Sequence, residues 1–289
     1  MKSITCMFLI SFFALLSCGR QQHNLTVMTF NIRLDTPADG ENRWTERVPV
    51  VKAYMDTAVP DIAGMQEVMH NQLNDLLDIM PGYTYVGTGR DDGKTGGEYS
   101  PVFYREEKFN LMDHGQFWLS ETPDVPGSRS WDAAITRIVS WAALEDRRSG
   151  KTIYVFNTHF DHRGKEARRE SAMLISGKIR EIAGNHPVIL LGDFNITKGS
   201  EDYDFMEDNF SGKNGLTNAE LISQAPVTNT GSTFNGFRTD TEPRVIDFIF
   251  VDNDFFDVSA YRVDKVTENN IFISDHWPVV AELVYKKAK

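Results

Sequence analysis

The chain has 289 residues, 41% of them hydrophobic and 25% charged, with 41 acidic against 30 basic side chains and a formal charge of −11. This is globular composition and excludes a disordered chain, a coiled coil and a collagen-like repeat. The acidic excess argues against holding nucleic acid on a broad basic surface, but not against an enzyme that meets a phosphodiester briefly through a metal ion.

In chain order, Met1 to Ser17 places Lys2 ahead of a short apolar run, Phe8 to Leu16. The run is shorter than the ~20 apolar residues a bilayer span needs, and it reads as a secretory signal peptide. Leu15-Leu16-Ser17-Cys18-Gly19 resembles the lipobox of bacterial lipoproteins. That resemblance implies cleavage before Cys18, lipid on that cysteine, and an exported, membrane-anchored protein in the periplasm or on the outer surface. Cys6 and Cys18 are the two cysteines, so the mature domain is expected to hold no disulfide. Residues 18–24 read as a tether and 25–287 as one domain.

Leu25 to Ile32 is rich in β-formers and predicts a strand. Val48, Val51, Tyr54, Met55 and Ala58 recur at helical spacing and predict a helix over Arg47 to Val59, stopped by Pro60. Asp61 to Val68 is a second apolar run. Asn71 to Met80 is an amphipathic helix ended by Pro81-Gly82. Strands follow over Tyr83–Gly87, Ser100–Tyr104, Phe109–Phe117, Ile138–Leu144 and Thr152–Thr158, the last two joined by a turn at Arg148-Ser149-Gly150. Lys165 to Ala183 predicts a helix with Ala172, Ile175, Ile179 and Ile182 inward. Pro187 to Gly192, Ile246 to Val251 and Val279 to Tyr285 complete the expected strands. Many strands with few helices predict sheet packed on sheet with helices outside. One faint internal echo supports two half-domains whose strand ends meet at one site: Val27-Met28-Thr29-Phe30-Asn31 and Leu190-Leu191-Gly192-Asp193-Phe194-Asn195 both finish in Phe-Asn.

The chemistry-bearing residues gather at the ends of these apolar strands, where α/β enzymes place their sites. Asn31, Glu67, Asn157, His159, Asp193 and Asn195 follow strands; Asp247 opens one and Asp275-His276 precede another. Thr29-Phe30-Asn31, Gln66-Glu67-Val68, Asn157-Thr158-His159, Gly192-Asp193-Phe194-Asn195, Ile246-Asp247 and Ser274-Asp275-His276-Trp277-Pro278-Val279 resemble the motif series of the endonuclease/exonuclease/phosphatase superfamily. That group includes DNase I, AP endonucleases, inositol polyphosphate 5-phosphatases, neutral sphingomyelinases and deadenylases. The resemblance covers nearly the whole mature chain and implies a single-domain, four-layer α/β/β/α sandwich.

It also implies roles. Glu67, with Asn31 and Asp275, would bind Mg²⁺ or Mn²⁺, a hard cation suited to oxygen ligands. Asp193 would orient and deprotonate the attacking water, and Asn195 would fix that water or a phosphate oxygen. His159 and His276 would flank the phosphate and donate to the transition state. Asp247 would hold His276, and Glu98 would hold His159. Asn157 reads as structural.

Substrate signals are thinner. Arg43 and Trp44 follow the first strand, Arg137 precedes the Ile138 strand and Arg163 follows His159; each is a candidate substrate contact. Trp118, Trp131, Phe234 and Phe237 either stack on a ligand or close loops as local core. The expected activity is metal-dependent hydrolysis of a phosphoester: a small molecule, a nucleic-acid fragment or a phospholipid head group. The alternatives are a DNA or RNA nuclease, a sphingomyelinase- or inositol-phosphatase-like enzyme, and a non-catalytic binding lipoprotein. A membrane-active phospholipase would need an exposed apolar hairpin, for which Phe117-Trp118-Leu119 is the candidate. No obligate protein partner is evident.

Overall fold

Val188, Ile189, Leu190 and Leu191 are all buried, so the strand that carries them is covered on both faces. Ile189 and Leu191 point one way, into a core shared with the other sheet. Val188 and Leu190 point the other way, against helices. This single apolar strand therefore requires sheet on one side and helix on the other.

The computed structural model describes residues 24–287. The expected leader, Cys18 and the tether up to residue 23 lie outside the described residues. In chain order the strands of the first half are β1 (Asn24–Asn31), β2 (Ile62–Gln66), β3 (Tyr83–Val86), β4 (Val102–Arg105), β5 (Phe109–Trp118), β6 (Ile138–Asp146) and β7 (Thr152–His159). Those of the second half are β8 (Val188–Asp193), β9 (Leu216–Asn218), β10 (Asp247–Asp252), β11 (Phe256–Val263), β12 (Thr267–Glu268), β13 (Ile271–Phe272) and β14 (Val279–Tyr285). The helices are α1 (Trp44–Ala58), α2 (His70–Ile79), α3 (Lys165–Ala183) and α4 (Glu201–Asn214).

One six-stranded sheet runs β11-β14-β1-β2-β4-β3 and the other runs β5-β6-β7-β8-β10-β9. They pack face to face, with α1 and α2 outside the first and α3 and α4 outside the second. The chain is thus a single-domain α/β/β/α sandwich. Each sheet holds one parallel pair, β1 with β2 and β7 with β8, and the C-terminal ends of the two pairs converge. The Phe-Asn echo corresponds to this: Asn31 Nδ2 donates to Asp193 across the sheets at 3.0 Å.

Helix α4 and the strands β9, β11, β12 and β13 have no counterpart among the elements expected from the sequence. In α4, Ser200 accepts from the Tyr203 amide, Glu201, Asp202 and Asp204 sit in the first turn, and Gly215 closes the end at φ 66°. Cap, acidic first turn and C-terminal glycine are all present, and Tyr203, Met206 and Phe210 turn inward. In β11 the apolar alternation is interrupted by a bulge between Val258 and Ala260, which hides the period of two. Helix α1 also begins one turn earlier than expected, because Trp44 and Arg47 both turn into the core.

Asn157 ties the sheets together. Its Nδ2 donates to the carbonyls of Met65 (2.7 Å) and Pro101 (2.8 Å), and its Oδ1 accepts from Gln66 Nε2 (2.7 Å). The sheets approach so closely here that a Cβ at Gly64 would sit 2.7 Å from Asn157 Oδ1; only glycine fits.

Candidate active site

Strand register lays out half of the site. On the adjacent strands β7, β8 and β10, His159 pairs with Asp193 and Asp193 with Asp247, so an imidazole and two carboxylates stand in one row. On the other sheet Asn31 pairs with Gln66. The next residue, Glu67, turns out of the strand at φ 59° and Asn195 leaves β8 at φ 49°. Left-handed backbone at residues other than glycine is strained by ~1–3 kcal/mol and gathers at functional sites. Here it swings side chains that strict alternation would send elsewhere toward one centre.

Asn31 joins the two rows. Its Nδ2 donates to Glu67 Oε1 and Asp193 Oδ2, both at 3.0 Å, while its Oδ1 accepts from the Arg33 amide. Asp193 Oδ1 accepts from the Asn195 amide, and Asn195 Nδ2 donates to His159 Nε2 at 3.0 Å. His276 Nδ1 sits 2.9 Å from Asp247 Oδ2, and its Nε2 is 3.7 Å from Asp193 Oδ2. The structure therefore brings together Asn31, Glu67, His159, Asp193, Asn195, Asp247, Asp275 and His276.

The two histidines are driven to opposite charge states. Burial disfavours the His276 cation, but Asp247 and Asp193 outweigh it and push the pKa up to about 10. His159 is held well below the usual histidine value by burial and by the cations Arg137 and Arg90. Asp193 is pushed up to about 7 by burial and by Asp247, against the pull of His276. His276 is thus an imidazolium, His159 a neutral imidazole and Asp193 a carboxyl poised near neutrality.

Glu98 does not reach His159. It pairs with Arg90 at 2.7 Å, and His159 Nδ1 is buried without a partner. The expectation that Glu98 holds His159 as a cation is corrected accordingly: a nearby arginine outcompetes the imidazole for the carboxylate, and the Arg90–Arg137 pair leaves His159 neutral. Trp44 is corrected too. It is 1% exposed, and its indole donates to Asp75 rather than facing the site. Arg43 is exposed ahead of α1, where its carbonyl receives the Glu46 and Arg47 amides. Arg163 is exposed on the loop between β7 and α3. Arg137 is buried behind His159, with Nε and Nη1 unpartnered. Trp118 closes its loop by donating to the Arg90 carbonyl. Phe117, Trp118 and Leu119 are all buried, so they form no membrane-seeking hairpin. Phe234 packs edge-on against the His276 ring at 5.1 Å.

Asp161, two residues past His159, shapes the loop that carries Arg137. Its Oδ2 accepts from the Ala134 and Ile135 amides and its Oδ1 from those of Arg163 and Gly164. Burial raises its pKa, but these amides and Arg137 together bring it below the usual carboxylate range. Asp161→Asn turns an NH₂ group against two amide donors, and a loss of about 2 kcal/mol is expected in urea unfolding. A depressed folded pKa adds stability above the unfolded value, lost as pH falls through the folded one. The gap between wild type and variant should therefore be full above pH ~4 and close as the pH drops further. A gap that persists at low pH would refute the assignment.

Two residue groups could hold a metal ion. The donor atoms of Asp193, Asp247 and His276 lie within 4.8 Å of one another, but both ring nitrogens of His276 already face carboxylates, Nδ1 toward Asp247 and Nε2 toward Asp193. Glu67, Asp275 and Asn31 are the better fit. Both carboxylates are largely buried, and they lie 3.8 and 3.9 Å from the Arg33 guanidinium. All three residues offer oxygen, the ligand hard divalent cations take. Sequence reasoning missed Arg33, Asp39, Arg47 and Arg90. Arg33 lies two residues past Asn31 and is gripped by Asp39 through two 2.9 Å bonds; that proximity was its only signal.

The profile of the Endonuclease/Exonuclease/phosphatase family matches residues 28–276. The chain belongs to this family. Family members are phosphoester hydrolases, and two buried carboxylates beside an imidazolium–carboxylate pair suit that chemistry. An endonuclease/exonuclease/phosphatase from Bacteroides vulgatus has a TM-score of 0.85 at 40% identity, over 92% of this chain and 100% of that one. A mannosyl-6-phosphatase from Bacteroides thetaiotaomicron has a TM-score of 0.81 at 38% identity, over 90% and 99%. An uncharacterized protein of Acanthamoeba polyphaga mimivirus is 26% identical over 193 residues, which is 56% of this chain but 28% of the viral one.

Proposed function

We propose that the protein is an exported, Mg²⁺- or Mn²⁺-dependent hydrolase of small phosphoesters, in which water attacks phosphorus. The observation that carries this reading is the convergence of Asn31, Glu67 and Asp275 with Asp193 and the His276–Asp247 pair at the facing strand ends. Asp193, tied down by Asn31 and the Asn195 amide, orients a water and accepts its proton. The His276 imidazolium, held by Asp247, donates to a phosphoryl oxygen as charge develops there. His159, neutral and bonded to Asn195, fixes the amide that positions the water or a phosphate oxygen. When bound at Glu67, Asp275 and Asn31, a divalent cation supplies charge neutralisation at phosphorus and at the leaving oxygen.

The preference for a small substrate draws support from the formal charge of −11, which disfavours a long polyanion, and from the 38% identical relative named a mannosyl-6-phosphatase. Export with a lipid on Cys18 rests on the sequence of Leu15 to Gly19. The test is hydrolysis of p-nitrophenyl phosphate, bis-p-nitrophenyl phosphate, mannose 6-phosphate and single-stranded DNA with Mg²⁺, Mn²⁺ or EDTA. Turnover of the small esters that EDTA and Glu67→Gln both abolish is expected. Turnover indifferent to EDTA, or confined to DNA, would overturn the reading.

A further inference from the structure

Arg47 is buried to 0% exposure and forms no ion pair with a carboxylate among the described contacts. A charge in that position is costly unless its hydrogen bonds are complete. Its guanidinium lies over the rings of Trp44, at 5.1 Å, and Phe237, at 5.9 Å. All of its bonds go to backbone carbonyls: Asn42 at 2.7 Å, Arg33 at 2.9 Å, Ile273 at 3.3 Å, and Ile32 through a short contact.

Those carbonyls belong to the two segments that carry candidate metal ligands. Ile32 and Arg33 immediately follow Asn31, and Ile273 stands two residues before Asp275. Ser274 Oγ adds a bond to the Asn31 carbonyl at 2.7 Å, and Asn42 Oδ1 accepts from the Phe272 amide. Helix α1 thus reaches under the site and binds both segments with one planar group. An ammonium is a point donor and cannot span carbonyls this far apart.

We propose that Arg47 is a positioning residue of the divalent-cation site, locking the Asn31 and Asp275 segments at the spacing the ion requires. This rests on the reading above that Asn31, Glu67 and Asp275 hold the ion. Fixing two ligand-bearing segments before binding removes their ordering from the binding step, so affinity should depend on Arg47 even though it touches no ion. A merely structural role would lower the melting temperature and leave the affinity of the folded protein unchanged.

The experiment is Mn²⁺ titration, by calorimetry and by electron paramagnetic resonance of free Mn²⁺, on wild type, Glu67→Gln, Arg47→Lys, Arg47→Met and Phe237→Leu. Near-UV circular dichroism confirms the fold of each. Expected are loss of binding in Glu67→Gln, about tenfold weaker binding in Arg47→Lys and a larger loss in Arg47→Met. Phe237→Leu removes one of the two ring contacts and keeps the guanidinium; it should fold and bind about threefold more weakly, a fraction of the effect of losing a supporting group outright. Wild-type affinity in the Arg47 variants that fold overturns the proposal; if neither folds, wild-type affinity in Phe237→Leu does. Wild-type protein that binds no Mn²⁺, or binding untouched by Glu67→Gln, refutes the ligand assignment itself, and the proposal falls with it.

Discussion

Asp193→Asn should lower kcat for phosphoester hydrolysis about 10³-fold, within the range expected for loss of a general base, and leave KM within a few-fold of wild type. The variant keeps the size of the side chain but only one oxygen, so it retains either the bond from Asn31, which Oδ2 accepts, or the amide bond from Asn195, which Oδ1 accepts, and turns its NH₂ group toward the other donor. What disappears is the basic oxygen. Burial and Asp247 push the Asp193 pKa up to about 7, so the carboxylate is a far better proton acceptor than an exposed aspartate. Relief of the repulsion beside Asp247 is opposed by the NH₂ group that now faces a donor, so stability should change by no more than about 1–3 kcal/mol. Steady-state kinetics at saturating metal, beside a thermal melt, separates these effects. A variant that keeps more than a tenth of wild-type kcat removes Asp193 from the role of base.

His276→Ala is the second large effect, with kcat reduced by ~10²–10³-fold, the range seen when one donor to a developing oxyanion is lost. The ring is gripped on both sides, by Asp247 at 2.9 Å and Asp193 at 3.7 Å, and Phe234 closes over it. That cage keeps it protonated, so it can donate strongly where the transition state gains charge. Apart from its push on the Asp193 pKa, Asp247 acts through this ring. Asp247→Asn should therefore lose most of the same activity, and the double variant should be no slower than His276→Ala alone. Fully additive losses in a double-mutant cycle would show that Asp247 has a separate task. The corresponding His159 variant should be milder, because a neutral ring that accepts from Asn195 carries no charge to the phosphate.

The strand ends were legible because they depend on local pattern. Apolar runs such as Leu25–Phe30 and Val188–Leu191 have one stable fate, burial in a sheet, and a polar residue directly after such a run must sit at the sheet edge. Helix α3 was legible for the same reason, through Ala172, Ile175 and Ile179 on one face. Helix α4 carries equally plain signals at Ser200 and Gly215, and its apolar face is spread thinly over Tyr203, Met206 and Phe210 among acidic residues. β11 was obscured by its bulge. Trp44 misled because an aromatic next to arginines in a polar loop looks like a ligand platform. Its helical spacing to Arg47 and Val51 was the counter-signal, and burial decided the matter.

Hydrophobic periodicity acts over a few residues, so the sheet-on-sheet plan, the order of the motifs and the identity of the carboxylates and imidazoles at the strand ends were already readable along the chain. Charge states, partners and supports were decided by the tertiary structure. Glu98 has Arg90 eight residues away and His159 sixty-one away in the chain, and which of them it binds depends on distances that exist only after folding. Arg47 reads as one more charge in a polar helix start until β13 and the end of β1 close over it. Electrostatic energies fall with distance and rise with burial, and neither quantity is defined until the two sheets have met.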